Sequence, residues 1–478
     1  MNRTSSLSRQ KKSQGADHVL TLGKSIPETI LRLSAPAILE QFLICLASLI
    51  DTAMVGSISA AATASVAINI STVWLINGFI TALSVGFSFL VSHSVGEGNR
   101  QKTESVVRQS ITASILLGLV LTTAVLSIHR ILPKLLGAAP DVLPNAQLYL
   151  GILGIGLVPQ TLGVVLSAVL RSAGNTKLPL AANMSANGLN VIGNFLLIYP
   201  SRQLTIGSLT FPMWGAGLGI KGAAISTAFS QYALAAILLY QIYHAQTAAR
   251  ITVHGDYRFR RWSLKSLLHI GIPVLLERNT LCLGQIALTA MISGLGTVPL
   301  AAHYLTNQTE GLLYLPAYGF SYTATTLVGQ SLGAGDQKLA ARFAKDICII
   351  STIVIVAACV PVFLLSRQII SLFTNDGQVL ALGTQTLQIA AATELFFSFF
   401  VICCGICRGA GDVRFPLAVS VIGMWGFRIG LVWLATRVLM WGVVGVWIAI
   451  GVDCFVRSCL FLHRLFTGKW LQASFSEG

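Results

Sequence analysis

The chain has little charge for its size. Only 10% of its 478 residues are Asp, Glu, Lys or Arg, whereas soluble domains carry about 25%, so it lacks the side chains to clothe a water-facing surface. The same shortage, with 54% hydrophobic residues and a mean hydropathy of +0.74, also excludes a disordered chain. Nine cysteines are too few for a disulfide scaffold. Cys404-Gly-Ile-Cys407 is a lone CxxC inside an apolar run, which reads as reduced packing cysteines rather than a zinc site. No His-Glu-x-x-His is present, and no Gly-Lys-Ser/Thr follows Gly96-Glu-Gly98, so metallohydrolase and ATPase chemistry lack support. An intramembrane enzyme would need a nucleophile–base or metal set, and none is visible.

What the chain does have is long apolar runs. Runs of 18 or more residues can cross a hydrocarbon core of ~30 Å. Twelve occur, at about 30–56, 60–92, 105–130, 146–170, 178–200, 213–243, 265–295, 299–332, 344–366, 380–407, 414–436 and 440–463. They do not alternate as barrel strands would, so strands are unexpected and an all-α integral membrane protein follows. Prolines near glycines, as from Pro316 to Gly319, read as helix bends.

Placement of the basic residues sets the orientation. With the N-terminus inside, 23 Lys and Arg fall on inside segments, and only Arg130, Lys134, Arg202, Arg367 and Arg437 fall outside. That bias puts both termini in the cytoplasm of a multi-pass cell-membrane protein. It also accounts for the net charge of +15 as contact with anionic headgroups rather than with nucleic acid. The first thirty residues are polar and basic and lack the apolar core of a signal peptide.

The sequence repeats itself. Pro36-Ala-Ile-Leu-Glu40 returns as Pro273-Val-Leu-Leu-Glu277, and Gly96-Glu-Gly98-Asn99 returns as Gly333-Ala-Gly335-Asp336. Arg171-Ser-Ala-Gly174-Asn-Thr-Lys-Leu-Pro179 returns as Arg408-Gly-Ala-Gly411-Asp-Val-Arg-Phe-Pro416, and all three offsets are 237. The protein is therefore expected to be two six-helix lobes related by a pseudo-twofold axis along the membrane normal. The organisation is a tail at 1–26, an N-lobe at 27–244, a linker at 245–264, a C-lobe at 265–466 and a tail at 467–478. Two facing copies leave a cleft, the usual architecture of alternating access.

At this point a family resemblance is legible. Leu33-Ser-Ala-Pro36, Asp51-Thr-Ala-Met-Val-Gly56, Gly96-Glu-Gly98-Asn99, Leu170-Arg171 through Pro179 and Gly219-Ile-Lys-Gly222 through Thr227 resemble the multidrug and toxic compound extrusion (MATE) family over roughly 27–465. The resemblance implies a 12-helix exporter of organic, often cationic, compounds in exchange for H⁺ or Na⁺, without a prosthetic group. It also implies an essential Asp at Asp51 and an N-lobe cation site with Asn190, a carboxylate at the place of Asn194, and a hydroxyl at Thr227. Asn194 departs from that pattern, because an amide cannot take up a proton. Some branches of the family place acids near Leu281 and Phe397, and neither position matches here.

Charges inside a membrane cost about 2.5–3.5 kcal/mol each at its centre and are functional candidates by default. Asp51, near the outer end of the first span, could carry a cation; neighbouring oxygens favour Na⁺ and a dry surrounding favours H⁺. The bland reading is a helix-end carboxylate in water. Asn183, Asn187, Asn190 and Asn194 of span five are either its partners or interhelical hydrogen bonds. Glu40 and Glu277 each follow a helix proline by one turn, as a gate or entrance, or as structural pairs, Glu277 with Arg278 or another base. Glu310, Glu394, Asn307, Gln308 and Tyr304, with Glu277, are the candidate substrate cleft; polar contacts between helices are the alternative. Arg428 needs an acid, for which Asp453 is available, and such a pair more often fixes packing.

These readings converge on a cation-coupled exporter of small organic compounds, monomeric and embedded in lipid. A lipid-linked oligosaccharide flippase of related architecture would require a cleft rich in Arg and Lys, whereas acids predominate here.

Overall fold

The computed structural model describes residues 25–206 and 209–472. The greater part of both expected tails, 1–24 and 473–478, lies outside the described residues. The N-lobe comprises α1 (Ile26–Gly56), α2 (Ala60–Ala67), α3 (Ile70–Gly96), α4 (Arg100–Ile128), α5 (Leu143–Ile155), α6 (Leu157–Ser172), α7 (Lys177–Leu197) and α8 (Ile220–His244). The C-lobe comprises α9 (Arg261–Ser293), α10 (Thr297–Leu313), α11 (Leu315–Gly333), α12 (Gln337–Leu364), α13 (Gly377–Ala410), α14 (Arg414–Val438) and α15 (Gly442–Phe466). These make up twelve helical spans in two six-span lobes, several of them broken. Spans two and eight divide into α2–α3 and α10–α11, and span four bends by 52° between α5 and α6. The break in span eight falls just before Pro316, whose ring cannot continue the preceding turn.

Among the described residues, eight helices are long and apolar enough to cross a membrane, or nine with the bent pair. The other three spans, α7, α9 and α10–α11, are the ones diluted by amides, acids and hydroxyls. Of these three, α7 carries Asn190 and Asn194, α9 carries Glu277 and α10 carries Glu310, whereas Asp51 and Glu394 lie on helices that are long and apolar enough.

Equivalent turns are built twice from equivalent residues. Gly98 and Gly335 adopt φ of 67° and 77°, conformations that cost a β-carbon residue, and let the chain enter α4 and α12. The next residues cap those helices: Asn99 Oδ1 accepts from Lys102 N at 3.0 Å and Asp336 Oδ1 accepts from Leu339 N at 2.9 Å. Gly174 and Gly411, with φ of 87° and 81°, likewise follow the ends of α6 and α13.

One feature corrects the sequence reading. Residues 213–219 do not begin span six. Strands β1 (Pro200–Ile206) and β2 (Leu209–Ala216) pair antiparallel, with Arg202 opposite Met213, and α8 starts only at Ile220. Arg202 lies over the rings of Phe195 and Tyr199, at 4.6 and 4.0 Å, which fastens the hairpin to α7.

The linker holds no regular helix from 245 to 260 and is docked on α4. Arg108 donates to Thr252, Thr112 to the Tyr257 carbonyl, and Gln109 accepts from Ser263.

Each lobe has its own core, and the lobes exchange helix ends. Phe87, Val107, Val165 and Leu238 pack in the N-lobe, where Ile270 and Val274 of α9 join them. Phe320, Val328, Phe343 and Ile406 pack in the C-lobe, where Ile30 and Leu33 of α1 join them. Beyond that anchor, no residue of α1 from 41 to 54 is buried.

Candidate functional site

The duplicated motifs close on each other within each lobe. Arg171 Nη1 donates to Glu40 Oε1 at 2.8 Å, and Arg408 Nη2 donates to both oxygens of Glu277 at 2.9 and 3.0 Å. Both acids are 2% exposed. Asn183 adds a donor to Glu40 at 2.9 Å. Two readings were open for Glu277, a place in the substrate cleft or a structural pair with Arg278 or another base; it is held in an ion pair by Arg408. The physical reason is the cost of burial: a carboxylate this deep needs a charge-assisted partner. The sequence contained the signal, because Glu40 to Arg171 and Glu277 to Arg408 are both 131 residues apart.

The lobes meet at this same end. His93 Nε2 donates to the Gly409 carbonyl at 2.9 Å, and its repeat equivalent Gln330 donates to the Ser172 carbonyl at 2.8 Å. Thr326 donates to the Arg171 carbonyl at 3.3 Å, and the Arg171 guanidinium lies 4.7 Å over Tyr322. A Cβ on Gly96 would overlap the Gln330 carbonyl, and one on Gly333 would overlap that of His93. Two hydrogens at these positions let α3 and α11 cross in backbone contact.

Toward the other end, the N-lobe holds Asp51. Asn194 Nδ2 donates to Asp51 Oδ1 at 2.6 Å, and the buried Asn194 Oδ1 has no hydrogen-bond partner among the described residues. Asn190 Nδ2 reaches Thr227 Oγ1 at 3.4 Å, and Ser226 donates to the Asn190 carbonyl at 2.8 Å. Asp51, Asn190, Asn194 and Thr227 are therefore gathered between α1, α7 and α8. Tyr149 of α5, buried within electrostatic reach of Asp51, was not anticipated. Among the described residues Asp51 has no ion-pair partner.

The C-lobe holds a second acidic centre. Glu394 is 1% exposed; its Oε1 accepts from Ser398 at 2.8 Å and its Oε2 has no hydrogen-bond partner among the described residues. Glu310 of α10 lies within electrostatic reach of Glu394 and of Arg428. Asp453, fully buried, accepts from Arg428 Nε and Arg457 Nε, each at 2.7 Å. The sequence suggested Arg428 for Asp453; Arg457, one turn along α15, is the partner it missed. Tyr314, at 5.6 Å from both Tyr318 and Phe397, forms an aromatic wall beside the glutamates. Asn307 is half-buried, while Gln308 and Tyr304 are exposed, the two joined by a 3.4 Å bond.

Arg428 and Arg457 are thus both bonded to Asp453, while Glu310 lies only within electrostatic reach of Arg428 and Glu394 has Ser398 as its hydrogen-bond donor. Cys404 and Cys407 are buried free thiols. Among the described residues no three His, Cys, Asp or Glu side chains converge on a metal position.

A family model described as MatE matches the chain twice, over residues 36–196 and 273–434. The chain is 27% identical over 455 residues to a protein named "Probable multidrug resistance protein NorM" from Thermotoga maritima, covering 93% of each. It is likewise 27% identical over 462 residues to human "Multidrug and toxin extrusion protein 1", covering 93% of this chain and 75% of that one. Among solved structures, one described as the outward-facing conformation of a multidrug resistance MATE family transporter superposes with a TM-score of 0.86 at 20% identity, covering 96% of this chain and 99% of that chain. Another, described as MATE in the bent conformation, superposes with a TM-score of 0.83 at 21% identity, covering 94% and 97%.

Proposed function

The chain belongs to the MatE family, a transporter family, and from that premise we propose that it is a secondary antiporter. In this reading it exports small organic compounds, cationic or amphiphilic, in exchange for H⁺ or Na⁺, as a monomer in the cell membrane with both termini cytoplasmic. The lobes at 27–244 and 265–466 are its moving units.

The observation that carries the reading is Asp51. It is a carboxylate inside a membrane helix, without a basic partner among the described residues, in the stretch of α1 where no residue from 41 to 54 is buried. A charge kept there at a cost of kilocalories has to be neutralised by something that comes and goes. Its carboxylate and the unpartnered carbonyl of Asn194 offer oxygens to Na⁺ or a place for a proton.

The paired acids at the other end support a state closed toward the cytoplasm. Loading Asp51 removes its charge from the free half of α1 and changes which arrangement of the lobes is favoured. Glu310 and Glu394, beside Tyr314 and Phe397, supply negative charge and aromatic faces for an organic cation.

The test is efflux of an organic cation from proteoliposomes under separately imposed pH and Na⁺ gradients. One or both gradients are expected to drive efflux in the wild type and neither in Asp51→Asn. Normal efflux by the variant under both gradients would remove Asp51 from the coupling site.

A further inference from the structure

A groove of about 490 Å³ opens in the C-lobe between α9 and α14, and none of the acids described above lines it. Met291 borders it on one side; Trp425, Ile429, Trp433 and Arg437 line it on the other. Its volume falls within the ~300–1,000 Å³ of ordinary ligand sites.

The shape comes from the irregularity of α14. Two π-helical stretches, Ile422–Arg428 and Leu434–Val438, interrupt its α-helix, and such widened turns often accompany functional sites. Gly430 forms the floor between them, and a Cβ there would meet nothing within 4 Å. Trp425 and Trp433 are 46% and 55% exposed, on a helix that passes the length and hydropathy test for a membrane span. Two large aromatic rings thus stand exposed on a membrane-spanning helix and leave space between them.

The chemistry is graded along the groove. Trp425, Ile429 and Trp433 are apolar, and the cation comes last, at Arg437. Among the described residues Arg437 has no acid within ion-pair distance, and it lies at the end of α14 away from Arg414. Arg437 lies twelve positions after Trp425, at most about 18 Å at the ~1.5 Å rise of an α-helix, and less through the widened turns. One leaflet of a ~30 Å hydrocarbon core is about 15 Å deep. The groove therefore runs from headgroup level to near the midplane, with its positive charge where phosphates lie and Trp433 just beneath, the depth at which tryptophan favours an interface. An organic cation is repelled by the same guanidinium, which separates this groove from the transport path.

We propose that the groove binds an anionic phospholipid of the non-cytoplasmic leaflet, its phosphate on Arg437 and one acyl chain lying past Trp433 and Ile429 to Trp425.

The experiment uses the full chain in phosphatidylcholine bilayers containing phosphatidylglycerol, one or the other brominated in its acyl chains. Quenching of the two groove tryptophans is obtained by subtracting the Trp425→Phe/Trp433→Phe variant. Brominated phosphatidylglycerol is expected to occupy the groove about fivefold in preference to phosphatidylcholine, the discrimination one near-surface cation gives. Arg437→Gln should bring the two lipids to parity while brominated phosphatidylcholine still quenches, which shows that the groove is intact, and Arg437→Lys should retain the preference. Parity in the wild type would mean an unselective annular lipid and overturn the proposal. So would a preference that Arg437→Gln leaves unchanged, or one that inorganic phosphate abolishes, since the latter would mark a free-anion site.

Discussion

His93 and Gly409 join the two lobes by a single 2.9 Å hydrogen bond from imidazole Nε2 to backbone carbonyl, and Gln330 with Ser172 repeats it at 2.8 Å. Because both acceptors follow directly on the Arg171 and Arg408 regions, the contact between lobes and the buried ion pairs within them form one assembly at one end of the bundle.

That assembly predicts a conformational effect of small changes. Each bond contributes about 0.5–1.5 kcal/mol, so His93→Ala/Gln330→Ala should raise the ratio of separated to closed lobes roughly tenfold. Gly333→Ala should act in the same direction, because its methyl overlaps the His93 carbonyl. Spin labels at 100 and 338, both exposed, would report longer distances in each variant; unchanged distances would show that the latch carries no weight.

The ion pairs make a prediction about stability. Glu277→Gln leaves Arg408 buried without its counter-charge, a loss of about 3–5 kcal/mol. Glu277→Leu/Arg408→Leu removes both charges and should lose less than either single change. Thermal unfolding of the purified protein decides the order of the three.

Asp453 is the more sensitive point of the C-lobe. Asp453→Asn strands two buried guanidiniums, whereas Arg457→Gln still leaves Arg428 paired with Asp453. The aspartate change should therefore lower the unfolding temperature more than the arginine change, by a margin of a few kcal/mol.

Asn194 gives a kinetic prediction. Its amide is the donor to Asp51, and a hydrogen bond to a charged group contributes about 1.5–3 kcal/mol. Asn194→Ala should reduce ion-driven efflux about tenfold or more, yet leave substrate exchange without an ion gradient near the wild-type rate. Equal losses in both assays would assign Asn194 to substrate binding instead.

Particular residues show where sequence reasoning reached and where it stopped. The repeat at 237 residues was legible because turns need their glycines and caps in fixed places, and Gly98-Asn99 and Gly335-Asp336 fill them identically. The hairpin was missed although Ile206-Gly-Ser-Leu209 has the form of a two-residue turn between β-formers; its apolar strand merged with the run that follows. For Glu277 the sequence left the cleft, Arg278 and another base open, because its partner Arg408 lies 131 residues away, a separation that hydropathy and local spacing do not report.

The sequence by itself determined that this chain is a duplicated, lipid-embedded helical protein, since apolar run length, basic-residue placement and a repeated motif are all properties of the chain in one dimension. Which buried charges are spoken for was decided only by tertiary structure. An acid is neutral in effect when a guanidinium from a distant helix reaches it, as at Glu40, Glu277 and Asp453, and stays available when only an amide or hydroxyl does, as at Asp51 and Glu394. Coulomb energy falls with distance in space rather than along the chain, and that distance exists only once the helices have packed.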